Sequence, residues 1–262
     1  MNRFVDLGLR SLGLKRPKPT TRLQIYLRRC ERAVVVLALV YLALLVYPQA
    51  LFANRVTSGN ITLYSREPLP PSAVAILARA EALASSSELA EPNLRKRIFI
   101  CNSPGLYRLF APTAADSFAD SMLVTDNIFV AAADFSTDIS RSSAPNYNTR
   151  SLSGTLAHEI THNLVRHRLG LFRALRLPNW IAEGYPDYVA HESSFPESVG
   201  LRLVASGGRD PSPSFDYFLY RQMVRHLIED KHLSFTQLVE RADHFSDVEK
   251  ETMNTTKRHA AN

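Results

Sequence analysis

The chain has 262 residues, of which 45% are hydrophobic and 21% charged, so it is long enough and apolar enough to bury one sizeable core. Its net charge of +6 comes from one end: residues 1–32 carry nine basic and two acidic side chains, whereas residues 33–262 carry 22 basic and 23 acidic ones. Because the larger part is close to neutral, the composition excludes a basic domain that binds nucleic acid.

An uncharged stretch follows the basic segment. It runs over residues 33–53, and its 21 residues would suffice to cross the roughly 30 Å of a bilayer core as a helix. The sequence therefore predicts a basic cytoplasmic arm at 1–32, a single transmembrane helix at 33–53, and the rest of the chain outside the cytoplasm, in the periplasm if the source is bacterial. Membrane lipid would contact both the helix and the arm. A signal peptide cleaved near Ala53 and a buried core helix are the alternatives.

The remaining chain shows both helical and strand patterns. In chain order the predicted elements are a helix over 73–91, strands over 97–101 and 106–110, a β-hairpin of 121–125 and 128–132, a polar loop over 136–150, and helices over 151–170, 179–191, 215–230 and 234–241. This order predicts an α+β domain at 60–245, followed by a polar, frayed tail at 246–262.

The central predicted helix carries the sequence His158-Glu159-Ile160-Thr161-His162. Two histidines four residues apart are offset by about 40° around a helix, so both imidazoles project from one face and can bind one metal ion. Glu159 lies further round the helix, where it can reach a water on the metal without being a ligand itself. The spacing predicts one zinc ion with Glu159 as general base.

A catalytic zinc site needs a third protein ligand and one open position. A third histidine six residues after His162 is ruled out, because that position is Arg168. Glu183, on the next predicted helix, is the alternative. Asp187 follows it by four residues on the same face, where it can accept a hydrogen bond from the free ring nitrogen of His158.

Two further histidines, His167 and His191, have no partner at the spacing of metal ligands. A surface or supporting position is the interpretation that we adopt for both.

The motif His-Glu-Ile-Thr-His, followed by Trp-x-x-Glu-Gly-x-x-x-Tyr at 180–188, resembles the gluzincin branch of zinc metallopeptidases. The resemblance covers about residues 151–230. It implies a zincin-like fold, in which a small mixed sheet with an edge strand lies over the active-site helix and a mainly helical part follows. It also implies that Tyr217 stabilises the oxyanion, although Tyr220 remains a rival for that role.

The resulting prediction is a membrane-anchored enzyme that hydrolyses peptide bonds in peptide or protein substrates. Endoproteolysis is favoured, because no Gly-x-Met-Glu-Asn-like segment is present to bind a free amino terminus. The strand at 128–132 is either the edge strand that pairs with substrate or part of the core. The alternative function is a non-catalytic, membrane-anchored module that binds zinc or peptides. The sequence does not specify an oligomeric state.

Overall fold

The computed structural model describes residues 21–261, and the chain divides into two compact units with the boundary between Ala50 and Leu51. The first unit contains helix α1 (Arg22–Val46), after which a short 3-10 helix spans Pro48–Leu51. Within residues 21–261, the second unit contains all the strands and the remaining helices.

The predicted transmembrane helix at 33–53, and with it the single-pass membrane localisation, is wrong. Among residues 21–261 no helix combines the length and the apolar character that a bilayer crossing requires. Helix α1 begins at Arg22, so charged side chains occupy its first half, and it ends at Val46. Its uncharged part, residues 33–46, has 14 residues and is about 21 Å long, against about 30 Å for a bilayer core. Of the predicted basic arm, residues 1–20 lie outside the described part of the chain and residues 22–32 belong to α1.

The end of the uncharged stretch belongs to the second unit. Phe52 is only 4% exposed, and its ring centroid lies 5.1 Å from that of Phe99. Strand β1 (Asn54–Ser58) follows directly. The second unit therefore begins before residue 60, the predicted start of the folded domain.

A mixed five-stranded sheet forms the first half of this unit. Its strands are β1, β2 (Ile61–Ser65), β3 (Lys96–Ile100), β4 (Ala119–Ser121) and β5 (Asn127–Val130). Their order across the sheet is β1-β2-β3-β5-β4, with β2, β3 and β5 parallel and the two outer pairs antiparallel. The mixed sheet matches the prediction, but its two edge strands are β1 and β4, and β5 lies inside the sheet.

Three local predictions between residues 106 and 150 differ from the structure. The predicted strand at 106–110 is helix α3 (Pro104–Phe110), because Ser103 caps it and Pro104 provides a preformed first turn. The predicted two-residue hairpin turn is a longer loop, because β4 ends at Ser121 and β5 begins at Asn127. The predicted loop at 136–150 contains parts of a second, antiparallel sheet. The strands of that sheet are β6 (Ala132–Asp134), β7 (Ile139–Arg141) and β8 (Thr149–Ser151).

The core lies between one face of the five-stranded sheet and two helices, α2 (Ser72–Ser85) and α4 (Leu152–Leu169). Ile98 and Val130 point from the sheet into this layer, and Leu156 and Ile160 point into it from α4. Thirteen of the 18 residues of α4 are buried, which explains why its sequence around the two histidines carries almost no charge.

Short helices make up the rest of the unit. They are α5 (Leu171–Ala174), α6 (Asn179–Ala182), α7 (Gly184–Val189), α8 (Glu197–Ala205), α9 (Pro213–Arg225), α10 (Phe235–Glu240) and α11 (Phe245–Ala261), with a π-helical turn at His226–Asp230. The predicted helix at 179–191 is thus divided into α6 and α7 at Glu183. The predicted frayed tail at 246–262 is instead part of α11 as far as Ala261, and Val248 in it is buried. Residue 262 lies outside the described part.

Candidate metal centre

Helix α4 is fixed at its N-terminus by two side chains. The hydroxyl of Ser151 accepts a hydrogen bond from the amide of Gly154 at 2.9 Å. The carboxylate of Asp138 accepts hydrogen bonds from the amide and the hydroxyl of Ser153, at 2.9 and 2.7 Å. Gly170, with φ of +77°, ends the helix. The predicted helix over 151–170 is therefore confirmed, and it carries both His158 and His162.

The imidazoles of His158 and His162 converge with the carboxylate of Glu183. The two Nε2 atoms are 3.0 Å apart, and Oε2 of Glu183 lies 3.4 Å from the Nε2 of His158 and 3.7 Å from the Nε2 of His162. For a triangle with these sides, one point lies about 2.0 Å from all three atoms. These three residues, within the part of the chain that the structure describes, could hold a metal ion.

Glu183 reaches the histidines because the chain breaks between two helices at that residue. It ends α6 with φ of −102°, and Gly184 begins α7. A Cβ atom at position 184 would lie 2.7 Å from the carbonyl oxygen of Tyr220 in α9, so only glycine permits this close approach of the two helices. The glycine thus determines how near the Glu183 backbone lies to α9.

Asp187, one turn after Glu183, lies where the sequence predicted it. Its Oδ1 atom is 2.7 Å from Nδ1 of His158, and the residue is completely buried. A proton held on Nδ1 by this carboxylate leaves Nε2 of His158 free to coordinate a metal.

Arg150 is part of the same buried network, and the sequence analysis missed it. Its Nη2 atom lies 2.9 Å from Oδ1 of Asp187, and its Nε atom lies 3.5 Å from a carboxylate oxygen of Glu192. The arginine therefore balances the charge of the aspartate that supports His158. The only hint in the sequence is an arginine directly before the helix cap, at the end of the predicted polar loop.

The pKa values of His158, His162 and Glu183 are shifted in different directions by their surroundings. For His158, burial lowers the pKa, but the Asp187 carboxylate outweighs burial and the pKa rises to about 10. Burial lowers the pKa of His162 to about 4. Burial raises the pKa of Glu183, but His162 and His158 outweigh it and the pKa falls to about 2. A neutral His162 and an ionised Glu183 are the protonation states that a metal ligand needs. His158, with its raised pKa, carries a proton on both ring nitrogens near neutral pH, so metal binding must release the proton on its Nε2 atom.

Glu159 is buried beside this group and lines the same cleft as the two histidines. Burial raises the pKa of its carboxyl to about 7, and the neighbouring charge of His158 lowers it by a smaller amount. A carboxyl group with a pKa near neutrality can both accept and donate a proton.

The cleft has a volume of about 1250 Å³, and Tyr217 lines it whereas Tyr220 does not. The ring of Tyr220 packs instead near Phe245, with centroids 6.1 Å apart. Burial raises the pKa of Tyr217, so its hydroxyl keeps its proton and can donate a hydrogen bond. His167 and His191 are not among the lining residues.

The lining of the cleft differs from one part to another. The part that comes from the end of α4, the α5–α6 segment and the β4–β5 loop is largely apolar, and its apolar members are Leu123, Val165, Ala174, Leu175 and Leu177. The part that comes from residues 142–147 and 210–214 is largely polar, and its polar members include Ser142, Asn146, Tyr147, Asp210, Ser212 and Ser214. A ligand that fills the cleft would meet both kinds of surface.

Comparisons with protein-family models and with curated protein sequences find no match to this chain.

Proposed function

We propose that the protein is a zinc-dependent peptidase that cleaves within extended peptide segments. The observation that carries the proposal is the convergence of His158, His162 and Glu183 on one point, next to Glu159 and at the wall of a large cleft. The resemblance of the two motifs to gluzincins supports the same assignment.

Zinc is the ion that this donor set favours. Two imidazole nitrogens and one carboxylate oxygen, about 2.0–2.2 Å from a common point, are the usual protein ligands of a catalytic zinc ion with one open position. A structural zinc site normally has four protein ligands, whereas the described residues supply three. The donor set therefore favours a catalytic over a structural site.

Each residue of the site would have its own role in peptide-bond hydrolysis. A zinc ion bound by the three ligands would supply Lewis-acid activation of a water and of a peptide carbonyl. Glu159 would accept the proton of the attacking water and pass it to the leaving amine. Tyr217 would donate a hydrogen bond to the oxygen on which negative charge develops. Asp187 would keep His158 in the tautomer that coordinates through Nε2.

Strand β4 supports an extended substrate. It pairs with β5 on one side only and is the last strand of its sheet. All three of its residues, Ala119, Asp120 and Ser121, line the cleft. We expect a peptide to add to this edge by main-chain hydrogen bonds, which recognise an extended backbone rather than one particular sequence.

The test is Glu159→Gln in the purified full chain supplied with zinc. We expect one equivalent of bound zinc in both proteins, and a turnover of a peptide library about a hundredfold to ten-thousandfold lower in the variant, because only the general base is lost. Glu197→Gln is the matched control: Glu197 pairs with Arg221 and Arg225 away from the cleft.

Two results would count against the proposal. Wild-type turnover in Glu159→Gln would show that the mechanism is wrong. One equivalent of zinc in a wild-type protein that cleaves no peptide would instead favour a non-catalytic zinc-binding module.

A further inference from the structure

The loop between β4 and β5 is fastened to the second half of helix α4. Asp126, the last residue of this loop, has a φ of +53°. It makes three contacts with α4: its carbonyl oxygen accepts a hydrogen bond from Nδ2 of Asn163 at 2.9 Å, and its two carboxylate oxygens lie 3.3 Å from Nη2 of Arg166 and 3.0 Å from Nε2 of His167. One residue of the loop thus joins three side chains of the helix.

These three helix residues follow directly after His162. They lie one, four and five positions beyond that histidine, within the next turn and a half of the same helix. The helix that places the metal ligands therefore also places the residues that hold Asp126.

Arg166 extends the connection from the loop to strand β4. It donates hydrogen bonds to the hydroxyl of Ser121 at 3.2 Å and to the carbonyl oxygen of Met122 at 3.4 Å. Ser121 and Glu159 both line the cleft. The arginine side chain is largely buried, at 10% exposure, so these contacts are shielded from water.

We propose that Asp126 is a positioning residue that sets the distance between the free edge of β4 and the metal ligands on α4. The inference rests on the proposed function, since it concerns how an extended peptide is aligned. A peptide that pairs along β4 has its scissile bond placed by that strand, whereas a substrate too short to pair there is placed by the metal centre alone. Removing the contacts of the Asp126 carboxylate should therefore lower kcat/KM for long substrates more than for short ones.

The test compares two substitutions that both tolerate the positive φ of this position. Asp126→Gly removes both carboxylate contacts, whereas Asp126→Asn keeps an acceptor for Arg166 and a polar group next to His167. For an eight-residue peptide we expect the glycine variant to lose about tenfold in kcat/KM, mainly through a higher KM, because two polar contacts are lost. The asparagine variant should recover most of this loss.

Two measurements serve as internal standards: kcat/KM for a dipeptide-sized chromogenic substrate, and the affinity for zinc. Both should change by less than about threefold in the glycine variant. Asn102→Gly is the matched control, because Asn102 also has a positive φ, of 46°, and its side chain also accepts a hydrogen bond, from the amide of Ala133 at 2.8 Å. It should leave both substrates unaffected.

Equal losses on the long and the short substrate, or loss of zinc, would overturn the proposal and leave Asp126 with a general structural role. If the wild-type protein cleaves no peptide, the proposed function fails, and hydrogen exchange decides on Asp126 separately. Faster exchange of residues 119–121 in Asp126→Gly, with α4 still protected, would support the positioning role, and unchanged exchange would contradict it.

Discussion

Asp187 connects the candidate metal centre to the interior of the protein. Its Oδ1 atom contacts both Nδ1 of His158 and Nη2 of Arg150, at 2.7 and 2.9 Å. Because the residue is fully buried, the carboxylate depends on these two partners for the stabilisation that water would otherwise supply. The orientation of His158 is therefore coupled to a buried ion pair.

We predict that Asp187→Asn weakens zinc binding about tenfold to a hundredfold, because the amide can no longer fix the tautomer and orientation of His158 as the carboxylate does. Competition with a chelating dye measures the affinity of the purified apoprotein. Glu197→Gln is again the control, since it also removes a carboxylate that pairs with a buried arginine, Arg221. Equal zinc affinity in Asp187→Asn and wild type would show that Asp187 does not tune the site.

At the scale of elements, the contact between α7 and α9 determines where Glu183 and Asp187 lie. Gly184 allows the backbone of α7 to approach that of Tyr220. An added methyl group at 2.7 Å from a backbone oxygen cannot be accommodated by the rotation of a side chain, so one of the two helices must shift.

We therefore expect Gly184→Ala to lower the free energy of unfolding by about 1–3 kcal/mol and to weaken zinc binding as well. Chemical denaturation in the presence of a chelator separates the first effect from the second. Gly105→Ala in α3 is the matched control, because a Cβ there would meet no atom within 4 Å. Its stability should be unchanged or slightly higher. A Gly184→Ala variant with wild-type stability would contradict the close approach of the two helices.

The elements also show what the sequence could predict. The spacing of His158 and His162 on one helix face is a local property, and the structure places Glu183 and Asp187 beside them as expected. The break at Glu183 was not predictable from periodicity, because it depends on the contact between Gly184 and a helix about 35 residues later in the chain. The ion pair of Arg150 with Asp187 was not predictable for the same reason, because the two residues are distant in sequence.

At the scale of the whole molecule, the uncharged stretch at 33–53 shows that a run of apolar residues need not form one helix. Hydropathy cannot tell where a helix starts and ends, and here α1 takes in the charges that precede the stretch, whereas Phe52 is used in the core of the second unit. The excess of basic side chains lies in residues 1–32, and the near-neutral remainder contains the candidate metal centre.

The two cysteines provide a probe of how the whole second unit opens. Cys101 is 3% exposed, and burial raises the pKa of its thiol to about 12, whereas Cys30 on α1 is exposed. Only the thiolate reacts with alkylating reagents, and at pH 8 a thiol with a pKa near 12 has roughly one part in ten thousand in that form.

We predict that the native protein at pH 8 is alkylated at Cys30 alone and that Cys101 reacts only once the domain unfolds. Mass spectrometry over a denaturant series, with Cys30→Ser as the control, measures this. Alkylation of Cys101 before the loss of helical structure would show that the sheet opens locally, without unfolding of the domain.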